Sequence, residues 1–415
     1  MTQAAQQEVL SGALSKLRVL DLSRILAGPW ASQTLGDLGA DVIKIERPKS
    51  GDDTRSWGPP FLDHKAKTGD AAYYLCANRN KQSVAIDITT PDGQHLIRGL
   101  ARNSDVLIEN FKCGNLAKYG LDYASLKAVN PRLIYCSITG FGQTGPYAHR
   151  PGYDFLMQGM SGLMSLSGHP EGLPGSGPMK VGVALTDILT GLYASTAILA
   201  AVQAREHTGQ GQYIDLGLLD VGVACLANQS MNYFYGEAIP SRMGNGHPNT
   251  APYQDFPTKD GHMILAIGND QQFERFCLAV GRTKWAKDPR FMENSARLAH
   301  RESLIPKIQQ LTRTRTTKEW IDLLDKAAVP CGPINTVADV FTDEQVQARG
   351  MQISMKHSTQ GNIPLVASPI RMSDTPVQYR FAPPTLGQDT QRVLHQILHI
   401  PEQQIQALLK DGVIA

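Results

Sequence analysis

The stretch RVLDLSRILAGPWASQTLGDLGADVIKIERP, residues 18–48, decides the fold class. It opens on an apolar run at 18–22, breaks at Gly28-Pro29, continues as a helical stretch to about Gly39, and resumes as a second apolar run at 41–45. Two β-rich runs separated by one helix in about thirty residues form a βαβ unit. Parallel strands need such a crossover, because the chain must return to the same end of the sheet. The pattern recurs downstream, with a strand at 83–88, a helix at Pro91–Arg102 opening on proline, and strands at Val106–Glu109 and 133–138. The expected fold is therefore α/β, with a Rossmann-like open parallel sheet. Ligands of such sheets gather beyond the carboxyl ends of the strands, which directs attention to Arg24, Arg47 and Asn110.

Outward from this core, a long helix rich in small residues is expected from 187 to 207, with Gly191, Ala194, Ala197 and Ala201 along it. It stops at Thr208-Gly209-Gln210-Gly211. A strand at 213–218 follows, then a second long helix to about Tyr235. Residues 239–253 are rich in Gly, Pro and Asn without a period, which marks a boundary. The chain thus divides into 1–225, a smaller unit at 240–328, and 329–415. No internal repeat is visible.

At 415 residues the chain is too long for one ordinary core. Its net charge of +2, from 40 basic and 38 acidic side chains, excludes a dedicated nucleic-acid binder. We find no apolar run of the ~18 residues that span a bilayer. Residues 1–16 read as a short polar arm. The expectation is a soluble, cytoplasmic protein with no membrane and no nucleic acid among its partners. None of the six cysteines forms a Cys-x-x-Cys pair, and the zinc, phosphate-loop and dinucleotide motifs are missing. Neither a metal nor a separate cofactor is expected.

An ordered set of motifs then narrows the reading. Leu26-Ala27-Gly28-Pro29 is followed by 38–48, Gly51-Asp52-Asp53-Thr54-Arg55, Asn78-Arg79-Asn80-Lys81, Glu109-Asn110-Phe111 and 137–142. Thr208-Gly209-Gln210-Gly211-Gln212, Pro252-Tyr253 and Cys331-Gly332-Pro333-Ile334-Asn335 complete the series. In this order they resemble class III CoA-transferases, from about residue 15 to the C-terminus. The resemblance implies an intertwined, ring-like homodimer. It implies a large CoA-binding domain whose N-terminal part, 1–225, is completed by 329–415, with the small domain at 240–328. It also implies CoA transfer from an acyl-CoA to a free carboxylic acid, with the CoA thioester as substrate. Within the family the resemblance favours succinyl-CoA as donor and a glutarate-like dicarboxylate as acceptor.

The family's acyl-carrying carboxylate falls on Asp187, in Gly182-Val183-Ala184-Leu185-Thr186-Asp187. By pattern alone this is one more acid at a helix start. The same helix start is expected to keep it ionised at neutral pH. By family position Leu26 and Ala27 line the adenine end of CoA. Arg47, Lys81, Lys112 and Lys118 are candidates for its phosphates, and Asn78 and Asn110, beside Phe111, for its arm or ribose. Gly268-Asn269 matches an active-site loop, and Tyr153 is placed to pack on the thioester. For a distal carboxylate, Arg24, Arg55, Arg79, Arg242 and His247 stay open. The rival is an α-methylacyl-CoA racemase-like isomerase, which carries Gly-His-Asp where this chain has Gly152-Tyr153-Asp154. A neutral Tyr is a poor base at pH 7, which disfavours α-proton abstraction. Asp270 stands roughly where racemases carry a Glu. At Asp389 relatives often carry His.

Overall fold

The computed structural model describes residues 12–63 and 68–415; most of the arm read at 1–16 lies outside them. Six strands form one all-parallel sheet: β1 (Arg18–Asp21), β2 (Asp41–Glu46), β3 (Lys81–Ala85), β4 (Val106–Glu109), β5 (Ile134–Thr139) and β6 (Tyr213–Gly217). Their spatial order is β3-β2-β1-β4-β5-β6. This is the doubly wound order, and it reverses between β1 and β4. Alternate residues explain how the sheet is covered on both sides. Val19, Val42, Val106 and Ile134 face one hydrophobic layer, whereas Leu20, Ile43, Leu107 and Tyr135 face the other.

The first layer is made by α1 (Ala27–Asp37) and α4 (Leu185–Thr208), the second by α2 (Pro91–Arg102) and the terminal helices α7 (Thr390–Leu398) and α8 (Glu402–Lys410). Between these in the chain lie α3 (Asp154–Met160), α5 (Leu218–Ala224) and α6 (Asp270–Ala279). The chain end is tied to edge strand β3. Ala415 N donates to Ala85 O, and Ser83 N donates to Asp389 Oδ2 at 3.1 Å. Asp389, a departure from relatives at the sequence level, thus has a local task here: it bonds β3 and pairs with Arg392.

By length and composition α4 is apolar enough to cross a membrane, which corrects the reading that no such run exists. It packs on α1 instead. Gly191 makes the approach possible, since a Cβ there would lie 2.7 Å from the Ala27 carbonyl oxygen. The second long helix read to Tyr235 is two helices, α5 and Asn228–Tyr235, separated by Ala227 at φ 47°.

The chain forms two compact units: 1–163, 181–230 and 347–415 make the larger, and 164–180 with 231–346 the smaller. The smaller unit carries a three-stranded antiparallel sheet with strand His262–Ala266 in the centre. Phe256, Met263, Phe273 and Trp320 fill its core. There Arg297, fully buried, pairs with Asp270 at 2.7 Å.

Candidate active site

The order reversal between β1 and β4 opens a crevice, and the loop 22–26 builds one wall of it. This loop is strained. Ile25 sits at φ 72°, a left-handed conformation that a β-branched side chain disfavours. Strain of this kind persists only where neighbours over-determine it. Here Asn110, just beyond β4, accepts from Arg24 N at 2.9 Å and donates to Arg24 O at 2.7 Å. Both carboxylate oxygens of Asp52 accept from Ile25 N at 3.2 Å. Asp21 accepts from the Ser23 amide at 2.9 Å and from its hydroxyl.

Two fully buried lysines hold these acids. Lys44 Nζ lies 2.9 Å from Asp52 Oδ2 and donates to Ser23 O. Lys81 Nζ reaches Asp21 at 3.2 Å and Asn78 Oδ1 at 3.0 Å. Burial would raise the Asp52 carboxyl, but the Lys44 charge and bonds from Thr54 outweigh it and hold the group at about 2. Burial draws the Lys81 ammonium down to about 8 against the opposing pull of Asp21.

Beyond the crevice lies a cavity of about 450 Å³ that includes Arg24, Leu26, Phe111, Lys112, Tyr153 and Asp187 on its walls. Asp187 stands in the first turn of α4, whose start carries no side-chain cap of its own. Asp154 supplies the cap from α3. Its Oδ1 accepts from Thr186 N at 2.8 Å and from Thr186 Oγ1 at 2.6 Å, while Gln158 donates to Oδ2. The helix N-terminus is therefore already matched with one negative charge, and Asp187 is the second. Burial, joined by the Asp154 charge, pushes the Asp187 carboxyl up to about 7. This corrects the expectation that the helix start keeps it fully ionised. Tyr73 also feels Asp187: burial first, then that charge, pushes its hydroxyl up to about 12. It stays a neutral donor at ordinary pH.

The structure brings Leu26, Ala27, Asn110, Phe111, Lys112, Tyr153, Arg24 and Asp187 to this one cavity. Arg47 lines a neighbouring cavity of about 260 Å³ that shares Arg24 and Phe111 with it. Lys118 is exposed, with its ammonium 4.7 Å from the Tyr119 ring. Three expectations are corrected. Lys81 and Asn78 are buried and bonded to each other, and the Asn78 amide also donates to Tyr74 O, so neither faces a ligand. Arg55 is buried between Glu46 and Asp70, its guanidinium stacked 3.7 Å from the Tyr74 ring. Arg79 is likewise spent on Asp37. Gly268 and Asn269 belong to the smaller unit, where Asn269 caps α6 through Gln272 N. Sequence reading missed Asp52, Tyr73 and the capping role of Asp154, which depend on contacts across long chain separations. Among the described residues no cluster of His, Cys, Asp and Glu is arranged to hold a metal ion.

A family model described as CoA-transferase family III matches residues 14–390. A relative from Agrobacterium fabrum, "Succinate--glutarate CoA-transferase", is 50% identical over 389 residues, covering 92% of this chain and 95% of the relative. "Succinyl-CoA:glutarate CoA-transferase" of Mus musculus is 42% identical over 97% of this chain and 90% of the relative. Among solved structures, a CAIB/BAIF family protein from Brucella suis is 49% identical, with TM-score 0.82, over 93% of this chain and 100% of that one.

Proposed function

We propose that this chain, which belongs to CoA-transferase family III, moves coenzyme A from succinyl-CoA to glutarate, forming glutaryl-CoA and succinate. One observation carries the reading: a carboxyl group held near neutrality, Asp187, faces a cavity at the switch point of a doubly wound sheet. The two relatives named for this exchange support the choice of acids.

An ionised Asp187 oxygen attacks the thioester carbonyl of succinyl-CoA. The C–S bond breaks, giving a succinyl–aspartyl anhydride and CoA thiolate. The thiolate attacks the aspartyl carbonyl, freeing succinate and leaving an aspartyl-CoA thioester. Glutarate attacks that thioester and expels the thiolate again, which then takes the glutaryl carbonyl and restores Asp187. Every tetrahedral species carries an oxyanion, and the neutral Tyr73 hydroxyl is a donor close to Asp187 for one of them. A desolvated carboxylate is the stronger nucleophile, which explains why the site tolerates the cost of the raised acid. The fixed loop 22–26, with Asn110 and Phe111, forms the wall on which the CoA arm lies.

The racemase-like alternative loses support twice. Tyr153 replaces the expected His, and the Asp270 carboxylate is committed to Arg297. The purified chain, given succinyl-CoA and glutarate in deuterium oxide, is expected to yield glutaryl-CoA of unlabelled mass. Hydroxylamine is expected to trap Asp187 as a hydroxamate. Deuterium entering the acyl α-carbon without exchange of acids would instead identify an isomerase.

The working form is a homodimer. In support, the smaller unit leaves Tyr235 89% and Ile239 80% exposed, an arrangement a lone chain rarely keeps. Sedimentation is expected to report twice the 45.3 kDa chain mass; a single-chain mass would refute it.

A further inference from the structure

The cavity that holds Asp187 is walled by three cations among the described residues: Arg24, Lys112 and Arg150. A dicarboxylate acceptor presents two groups to it. One reacts at Asp187. The other stays charged throughout and needs a cation that is free to receive it, since an uncompensated carboxylate in a partly dry cavity is costly.

Arg24 is not free. Its Nη1 lies 2.6 Å from Asp53 Oδ2. Lys112 carries a point charge on a four-carbon stem in the loop after β4, beside Asn110 and Phe111. Arg150 differs from both. Its guanidinium lies 4.6 Å from the Tyr147 ring centroid and 5.2 Å from that of Phe141, and the two rings meet edge to face at 5.5 Å. Among the described residues no ion pair engages it, so aromatic faces orient the group while its N–H edges stay unspent.

The backbone that carries Arg150 is also fixed. Gly140, just past β5, and Gly152 approach so closely that a Cβ on Gly140 would lie 2.7 Å from Gly152 Cα. The contact admits only glycine on both sides and clamps the segment 150–153 to the sheet. That clamp sends Arg150 and Tyr153 into the same cavity wall. A planar fork held in one orientation suits a carboxylate, which it can bind through two parallel hydrogen bonds.

The geometry points to Arg150 as the residue that receives the non-reacting carboxylate of the dicarboxylate substrates and so sets acceptor selectivity. This rests on the transfer reading above. It also separates the roles of the cations: Lys112 and Arg47 remain for the phosphates of CoA, and Arg150 reads the acid.

The test compares glutarate with valerate, an acid of the same length without the second carboxylate, at a fixed succinyl-CoA concentration. The unmodified chain must first convert glutarate; if it does not, the transfer reading fails before this inference is reached. Given that activity, Arg150→Met is expected to lower the glutarate-to-valerate ratio of kcat/KM by roughly 10- to 100-fold, the range for a lost hydrogen-bonded charge contact. Arg150→Lys, which keeps charge but loses the fork, is expected to fall between, and it carries the test if the Met variant does not fold. An unchanged ratio in both variants, with equal losses on both acids, would overturn the assignment and place Arg150 on CoA instead.

Discussion

Asp187→Ala loses CoA transfer by roughly four orders of magnitude or more, because a covalent carrier has no substitute once its carboxylate is gone. The fold and CoA binding stay intact, since Asp154, not Asp187, caps α4. Mass spectrometry of the variant after exposure to succinyl-CoA is expected to show no enzyme-bound thioester. Near-normal turnover would eliminate Asp187 as the carrier. The raised acid adds a signature in pH. In the parent, kcat/KM climbs with unit slope as pH rises toward about 7 and then levels, because only the ionised carboxylate attacks. The same shift carries a stability cost of known sign. The folded-state value of about 7 lies above the ordinary 3.8, so the unfolded chain releases this proton first. Stability from this group is complete below about pH 4 and is lost as pH rises through about 7. The alanine variant escapes that loss. It is expected to exceed the parent at pH 8 by on the order of 1 kcal/mol, a Tm rise of about 2–3 °C, with the difference vanishing near pH 4. A variant less stable than the parent at pH 8 would contradict the electrostatic account of the site.

Lys44→Met destabilises the larger unit by about 3–5 kcal/mol, the usual cost of stranding a buried charge. Lys44 Nζ bonds Asp52 and the Ser23 carbonyl with no exposure to water, and it also stands against Asp21 and Glu46. Without it, Asp52 keeps its place only by taking a proton, and its hold on Ile25 N weakens. The loop 22–26 then relaxes from its strained form, and KM for acyl-CoA is expected to rise along with the loss of stability. Denaturant titration measures the first effect and steady-state kinetics the second. Adding Asp52→Asn to Lys44→Met is expected to recover part of the stability, because it removes the stranded charge while keeping an acceptor for Ile25 N. A Lys44→Met chain as stable as the parent would show that the pair does not hold this wall.

The parallel sheet was legible because its strands are apolar on both faces and its helices announce themselves locally. Pro91–Arg102 is a helix over the residues its opening proline and apolar spacing predict. Strands read at 18–22 and 41–45 form at Arg18–Asp21 and Asp41–Glu46. Less of the site could be read. Basic residues beside family motifs look alike in sequence whether they face solvent or a buried acid. Lys81 and Arg55 are buried against Asp21 and Glu46, partners 60 and 9 residues away. Arg150, which attracted no notice in the linear reading, gains its position from ring contacts and from the Gly140–Gly152 approach.

The sequence by itself determined that the chain is a doubly wound α/β protein of this family, because hydrophobic periodicity and ordered motifs are properties of neighbours along the chain. It also singled out Asp187, through the family's motif. Only the tertiary structure decided the chemical state of that acid. A carboxyl at a helix start is ordinarily kept ionised, but Asp154, 33 residues earlier, occupies the same helix end and repels it. Electrostatic environment depends on distance in space and on exclusion of water, and neither is written in the order of residues.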